Sequence, residues 1–502
     1  MAWLTTPGAL ADGPVEIIET ACAQVLLAGD RAYKLKRAIR YDYLDFGTLE
    51  KRNAAVRAEI ELNRRTAPEL YLGVLPVFAD DAGFRLGDLI DAAETDPEAA
   101  EHLIVMRRFD ATATLDRLAD SGTLEGDVVD RLADAIAAFH DAADPKPFEG
   151  AADRLKRVSA RTMAEITGQP EVVGEAAAFG LDRAMRAALD AAAPEVEARG
   201  RAGLIRRLHG DLHLGNVALI DGRPVIFDAL EFDDGMATVD LLHDLAFLVM
   251  DLWARGRPEF AARAWSRYLA RRDDYAGQAL APLYVAMRAA VRAKVALNAG
   301  LLADGDARAA KQDEARLYVD AATRALERPK PRLVAIGGLS GTGKTTLARA
   351  AAPLLAPAVG AVHLRSDVLR KRLQGGRFEE KLPKEAYTPE ASAAVYLGLL
   401  DRAAACLAEG APVIVDAVFA RPEERQAVAD LARRLGVPFD GVWLDLDLGR
   451  RQSRIADRTG DASDATPDVA ARQADYELGE IDWTRIEAND HALDAVKARL
   501  GV

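Results

Sequence analysis

The chain has 502 residues, of which 50% are hydrophobic and 29% charged, and a formal net charge of −14. That length exceeds one ordinary core and predicts roughly two to four globular domains, while the acidic balance removes the general attraction for polynucleotides and argues against a nucleic-acid partner. Cys22 and Cys406 stand far apart and imply no disulfide framework, and the start MAWLTTPGALADGP lacks a basic, apolar leader, so a cytoplasmic protein with no membrane partner is expected.

Residues 25–36 read as two strands about a Gly29-Asp30 turn, with Lys34 and Lys36 on one face by the period of two. The helix predicted over 48–66 offers Glu59 and Glu61. A kinase small lobe needs a lysine for the α and β phosphates and a helix glutamate to orient it, and these residues supply candidates for both. No G-x-G-x-x-G lid precedes the lysines. Residues 103–110 form a strand running into a polar segment, and 118–142 and 172–198 are helical by their periodic apolar positions. His140, near the end of the first of these, is read as packing or capping.

The densest chemistry lies in 207–234, RLHGDLHLGNVALIDGRPVIFDALEFDD. Phosphoryl transfer asks a protein mainly to position the acceptor and neutralise phosphate charge. Asp211 sits in a polar loop where it can accept a proton, Asn216 offers a neutral oxygen to Mg²⁺, and two short strands about the Asp221-Gly222 turn deliver Asp228 as a second hard-oxygen ligand. HGDLHLGN followed by IFD resembles the catalytic loop and metal-binding aspartate of the aminoglycoside phosphotransferase family, relatives of protein kinases. By that resemblance Asp211 is the catalytic base, Asn216 and Asp228 hold Mg²⁺, His209 supports the loop, and His213 matches a second histidine of less defined role. The family's strand and helix patterns favour Lys36 with Glu59, and Lys34 and Glu61 remain open; residues 103–110 stand where the family has its adenine-contacting hinge.

The apolar helix that follows should pack beneath the site, with Asp244 either orienting the loop or capping. Residues 280–326 continue helical; Arg288, Arg292 and Lys294 are read as a solvated face, with an anionic substrate as the alternative partner. The prolines of 327–332, ERPKPR, mark a linker. Residues 1–326 are therefore expected to form one bilobal domain (small lobe about 1–105, large lobe about 106–326), and 333–502 another.

The second part opens with an apolar strand, a glycine loop and an Ala-rich helix, with Gly338 to Thr345 fitting G-x-x-x-x-G-K-T. Such a P-loop points backbone N–H groups at phosphate, with a lysine reaching the β and γ phosphates and a hydroxyl for Mg²⁺. The candidate set is Gly338, Ser340, Gly341, Thr342, Gly343, Lys344, Thr345 and Thr346, with Thr345 as the metal ligand. Asp367 and Arg370 follow a predicted strand near the substrate edge of an open α/β sheet. Asp416 ends another strand as a Walker B-like carboxylate, and Arg450, Arg454 and Arg458 recur at helical i, i+4, i+8 spacing as a lid for phosphates. This part resembles small P-loop kinases of the gluconate kinase, shikimate kinase and zeta toxin type, and by resemblance Asp367 and Arg370 contact the acceptor while Asp416 is a base or a metal-side residue.

Joined, the two parts resemble a bacterial fusion of an aminoglycoside phosphotransferase-like and a P-loop kinase-like protein. The expected fold is an α+β protein-kinase-like bilobal domain followed by an α/β P-loop domain with a parallel sheet. The expected function is ATP- and Mg²⁺-dependent transfer of phosphate to a hydroxyl of a small polar molecule at two sites. Two alternatives stay open: one catalytic domain gated by a P-loop ATPase, or a nucleotide-binding regulator. Neither the acceptor nor the oligomeric state is legible.

Overall fold

A computed structural model describes every residue except 1, 7, 21, 42, 43, 82, 91–93, 379 and 458–461. The chain divides into two compact units, Met1–Glu149 with Arg199–Leu248, and Gly150–Ala198 with Val249–Val502.

The first unit is built on a six-stranded antiparallel sheet in the order Glu16–Glu19, Ala23–Ala28, Arg31–Lys36, Glu101–Arg107, Tyr71–Asp80, Gly83–Leu86. Alternation along Arg31–Lys36 decides what each face does. Tyr33 and Leu35 join Leu26, Leu103 and Val105 in one apolar cluster, so Lys34 and Lys36 must point to the other face. That face is covered by the helix Leu49–Asn63, whose start is fixed by Thr48 accepting a hydrogen bond from the Lys51 N–H. Its buried residues Ala55, Val56, Glu59, Ile60 and Asn63 form one stripe that carries Glu59 onto the lysines, while Glu61 falls on the exposed side.

Below the sheet, Ile205–Arg207 pairs with Thr238–Asp240, and the chain between them holds the hairpin Val217–Ile220/Arg223–Ile226. Its two-residue turn places Asp221 and Gly222 both at positive φ, +49° and +73°, the twist that antiparallel neighbours favour. The helices are more broken than their apolar periodicity suggests. Residues 118–142 belong to two helices, Leu115–Ser121 and Gly126–Ala142, because left-handed Gly122 caps the first. Gly174 likewise separates Pro170–Val173 from Glu175–Arg201, and residues 303 and 304 separate Ala281–Leu302 from Gly305–Ala325.

The second unit contains a five-stranded parallel sheet in the order Val362–Arg365, Val413–Asp416, Leu333–Gly337, Phe439–Asp445, Thr484–Glu487. Its core joins Val334, Ile336, Leu347, Ile414, Val442 and Leu444. Gly441 is required there, since a Cβ would lie 2.4 Å from Cγ of Trp483. The helix Pro258–Arg272 belongs to this unit and covers the sheet's edge strand. Ala262 enters the sheet core, and Ser266 Oγ accepts the His363 N–H at 3.2 Å. Asp273, just past the helix, receives two 2.7 Å hydrogen bonds from Arg402. The helix Pro389–Ala408 is long and apolar enough by composition to cross a membrane, yet it carries Asp401 and Arg402 and buries Val395, Leu399, Ala403, Cys406 and Leu407 inside the unit. Arg292 and Lys294 do not form a solvated face. They pair with Glu314 and Glu165 at 3.2 and 3.3 Å, and Arg288 is buried.

Candidate active sites

In the first unit the two lysines share one glutamate. Lys34 Nζ lies 2.7 Å from Glu59 Oε1 and 2.5 Å from Asp228 Oδ1. Lys36 Nζ contacts Glu59 Oε2 and Glu231 Oε1. The result is a chain of alternating charge, Asp228, Lys34, Glu59, Lys36, Glu231, whose only well-exposed side chain is Asp228, at 42%. Burial alone would lower the Lys34 ammonium, but Asp228 and Glu59 hold it well above the ordinary lysine range. Burial likewise works against ionised Asp228, and the neighbouring Lys34 outweighs it, keeping this carboxyl below its ordinary range.

Asp228 adopts φ +62°, a left-handed conformation that L-residues rarely hold. Three contacts fix it there. Its own N–H donates to Tyr71 Oη at 3.2 Å, the Ala229 N–H donates to Asn63 Oδ1 at 2.8 Å, and the Leu230 N–H donates to the His209 carbonyl at 2.9 Å. Asn63 stands one turn after Glu59 on the same helix and donates to its carbonyl at 2.7 Å, so one helix positions both the lysines' carboxylate and the strained loop.

The loop 208–216 is organised from inside by His209 and Asp244. Asp244, fully buried, accepts the backbone N–H groups of His209 and Gly210 at 3.3 and 2.9 Å and faces His140 Nε2 at 3.2 Å. Asp244 thus orients the loop, and His140 supports Asp244. His209 Nδ1 accepts the Asp211 N–H at 3.3 Å, so its proton sits on Nε2 and is donated to the Phe227 carbonyl at 2.9 Å. Burial keeps this imidazole below its ordinary range and neutral, as that pattern requires. Gly210 has φ +83°, and a Cβ there would meet Cβ of Ala237 at 2.8 Å. Asp211 is brought out with 40% of its side chain exposed. Asn216 Nδ2 donates to the Asp211 carbonyl at 2.9 Å and lies 3.3 Å from its carboxylate, which leaves Asn216 Oδ1 as a neutral oxygen donor. His213 Nδ1 accepts from the Gly215 N–H, and its Nε2 lies 3.5 Å from Asp211 Oδ2.

In the second unit the glycine loop joins the strand Leu333–Gly337 to the helix Lys344–Ala351. Gly338 and Gly341 have φ of +141° and +86°, and a Cβ would meet the Leu444 carbonyl at 2.7 Å or the Arg451 carbonyl at 2.6 Å. Gly341→Ala is therefore expected to cost about 1–3 kcal/mol of stability and to weaken nucleotide binding, measurable by thermal unfolding and by calorimetric titration. Lys344 Nζ reaches the Leu339 carbonyl at 3.2 Å, and Thr345 Oγ1 donates to Asp416 Oδ2 at 2.5 Å. Thr346 is exposed in the first helical turn. Asp416 is buried, yet His363, Lys344 and Arg365 hold its carboxyl down to about 2. Asp367, half-buried, is raised by burial despite Arg365 nearby, and it hydrogen-bonds Ser463.

Arg370 has one arm of its guanidinium engaged within the unit. Its Nη1 donates to the Ala386 carbonyl at 2.7 Å and lies 3.3 Å from Ser392 Oγ, and the group sits 4.9 Å above the Tyr387 ring. Of the arginine row, Arg454 reaches the glycine loop, donating to the Thr342 carbonyl at 3.1 Å. Arg450 does not: it is half-exposed between Asp447 and Glu487, because Asp447 caps its helix and stands beside it. Arg458 lies outside the described residues. Sequence reasoning passed over Glu231, Arg451 and Gln473. Arg451 is buried with its backbone against Gly341, and Gln473 Oε1 accepts the Ser340 N–H at 2.7 Å.

A family model for the phosphotransferase enzyme family matches residues 51–282, and one for an AAA domain matches 333–477. An uncharacterised protein of Mycobacterium tuberculosis and its counterpart in Mycobacterium bovis are each 32% identical over 480 residues, covering 93% of this chain and 91% of the relative. The chain belongs to the family of these mycobacterial proteins. Similar solved structures include a choline/ethanolamine kinase family protein from Mesorhizobium loti, 18% identical, covering 65% of this chain and 95% of the other at a TM-score of 0.39. A gluconokinase from Sinorhizobium meliloti is 20% identical, with 34% and 95% covered and a TM-score of 0.25. The two parts are thus kinase-type phosphotransferase and P-loop nucleotide-binding regions, and nucleotide use follows from both.

Proposed function

We propose that the protein carries two kinase-type sites, each transferring the γ-phosphoryl group of ATP to a hydroxyl of a small polar metabolite such as a sugar, an aminocyclitol or a nucleoside. The observation that carries this reading is that Asn216 meets Asp211 while Lys34 bridges Glu59 and the strained Asp228, whose carboxyl also feels the charge of Asp211. In the first site Asp211 takes the acceptor proton, the freed oxygen attacks the γ-phosphorus, the bond to the β–γ bridging oxygen breaks, and ADP leaves. Lys34 holds the phosphates. Lys36, enclosed by Glu59 and Glu231, instead holds Glu59 in place.

The donor set fits Mg²⁺, which takes one or two carboxylates plus substrate phosphates. Asn216 Oδ1 and Asp228 would hold it in the first site, and Thr345 with Asp416 in the second. Bound Mg²⁺ supplies charge neutralisation on the phosphates. In the second site Lys344 and the loop amides cradle the phosphates, and Asp367, whose burial makes it a stronger base, takes the acceptor proton. Two ATP-consuming sites suit a cytoplasmic protein.

The test is ADP release by the full chain against a panel of sugars, polyols, nucleosides and aminoglycosides, with Asp211→Asn and Lys344→Ala proteins alongside. Acceptor-stimulated release lost in one variant assigns that acceptor to one site; loss in both shows that the sites depend on each other. Nucleotide binding without any acceptor-stimulated release from the whole panel would sink the two-kinase reading.

A further inference from the structure

The segment that ends on Gln473 touches both sides of the second site. Near its start Ser463 hydrogen-bonds Asp367, and Asp464 accepts from Tyr387 Oη at 2.6 Å and the Leu382 N–H at 3.0 Å while pairing with Lys371 at 3.0 Å. Eleven positions after Ala462 opens this stretch, the helix Pro467–Gln473 has delivered the Gln473 side chain, only 6% exposed, onto the glycine loop. There its oxygen accepts the Ser340 N–H at 2.7 Å.

That contact fixes the carboxamide's orientation. An N–H donor on Ser340 forces Oε1 toward the loop, so Nε2 and its two hydrogens turn the other way, and they meet no protein acceptor among the described residues. The carbon stem and Oε1 are enclosed, while Nε2 is not among the side-chain atoms sealed from solvent, so its donors stay open to an acceptor that enters the site. Gln473 stands on the third residue of a phosphate loop, on a segment that also binds the acceptor-side carboxylate Asp367. The chemistry that belongs at such a place is an anionic oxygen at the transferring end of the nucleotide.

We propose that Gln473 donates through Nε2 to a γ-phosphoryl oxygen of ATP in the P-loop site, so that this site distinguishes ATP from ADP through a side chain anchored on Ser340. The proposal rests on the P-loop nucleotide site of the proposed function and adds a residue that touches the transferring group.

The experiment is calorimetric titration of the full chain carrying Asp228→Ala, which removes the carboxylate assigned to Mg²⁺ in the first site. The probes are the Mg²⁺ complexes of ADP and of an ATP analogue with an imido β–γ bridge, and Lys344→Ala identifies the P-loop share of binding. Gln473→Ala is expected to weaken the triphosphate analogue about tenfold and ADP by less than about twofold, the size of one charge-assisted hydrogen bond. Gln473→Glu, which keeps the shape and an acceptor for Ser340, is expected to weaken the triphosphate more, by placing a carboxylate against the γ-phosphate. Equal weakening of both nucleotides would show a clamp on the loop only and overturn the proposal, as would unchanged binding of both. If Lys344→Ala leaves all binding unchanged, the P-loop nucleotide site itself falls, and the Gln473 assignment with it.

Discussion

Asp211→Asn is expected to lower turnover at the first site by about 10²–10⁴-fold while leaving MgATP affinity within about twofold. The two side chains have nearly the same shape, and an amide oxygen still accepts from Asn216 Nδ2, which lies 3.3 Å from the native carboxylate. The backbone bonds that shape the loop involve the Asp211 N–H and carbonyl, which the substitution does not touch. What is lost is the capacity to take up a proton. Asp228, Lys34 and Glu59, to which the proposed function gives the phosphates and metal rather than the acceptor, keep their contacts. Steady-state kcat with the best acceptor from the panel, set beside an equilibrium titration with MgATP, separates the two effects. An unchanged kcat would remove Asp211 from the role of proton acceptor. An equal fall in affinity would instead make it a structural part of the nucleotide site.

The placement of Asp211 among His209 and Asn216 was legible in the sequence because these partners are local. His209, Asp211, Asn216 and Asp228 fall within twenty positions, on one loop and one tight hairpin, so their spacing alone brings them together. The same holds for the glycine loop, where strand, turn and helix are consecutive. Pairings set by packing were not legible. Lys34 and Lys36 are equivalent by strand period, and only the position of Glu231, 195 residues beyond Lys36, encloses one of them and leaves the other beside Asp228. Helical spacing put Arg450 and Arg454 in one row. The cap residue Asp447 holds Arg450 at the helix start, where it stays half-exposed. For Arg370 nothing in the sequence signalled that its Nη1 donates to the Ala386 carbonyl or that the group sits over the Tyr387 ring. Gln473 carried no signal of its own, because one glutamine near a helix end is common and its meaning comes from Ser340, 133 positions away.

Glu59→Gln is expected to destabilise the first unit by about 3–5 kcal/mol, the range for removing one partner of a buried charge pair, and to weaken MgATP binding there by more than about tenfold. The argument is one of counting charges in a closed space. Glu59 is fully buried and meets both Lys34 and Lys36, so a neutral amide leaves two buried ammonium groups close together with one anion each, Asp228 for Lys34 and Glu231 for Lys36. Lys34 then moves toward Asp228, its remaining anion, which is also the carboxylate assigned to Mg²⁺. Metal and lysine compete for the same oxygen, and nucleotide affinity falls with stability. Glu231→Gln removes an anion from Lys36 alone and leaves Glu59 between the two lysines, so its loss should be smaller and should spare MgATP affinity. Thermal unfolding and MgATP titration of both variants give the order directly. If Glu231→Gln proves as damaging to nucleotide binding as Glu59→Gln, then Lys36 rather than Lys34 carries the phosphates, and the enclosure of Lys36 opens when nucleotide enters.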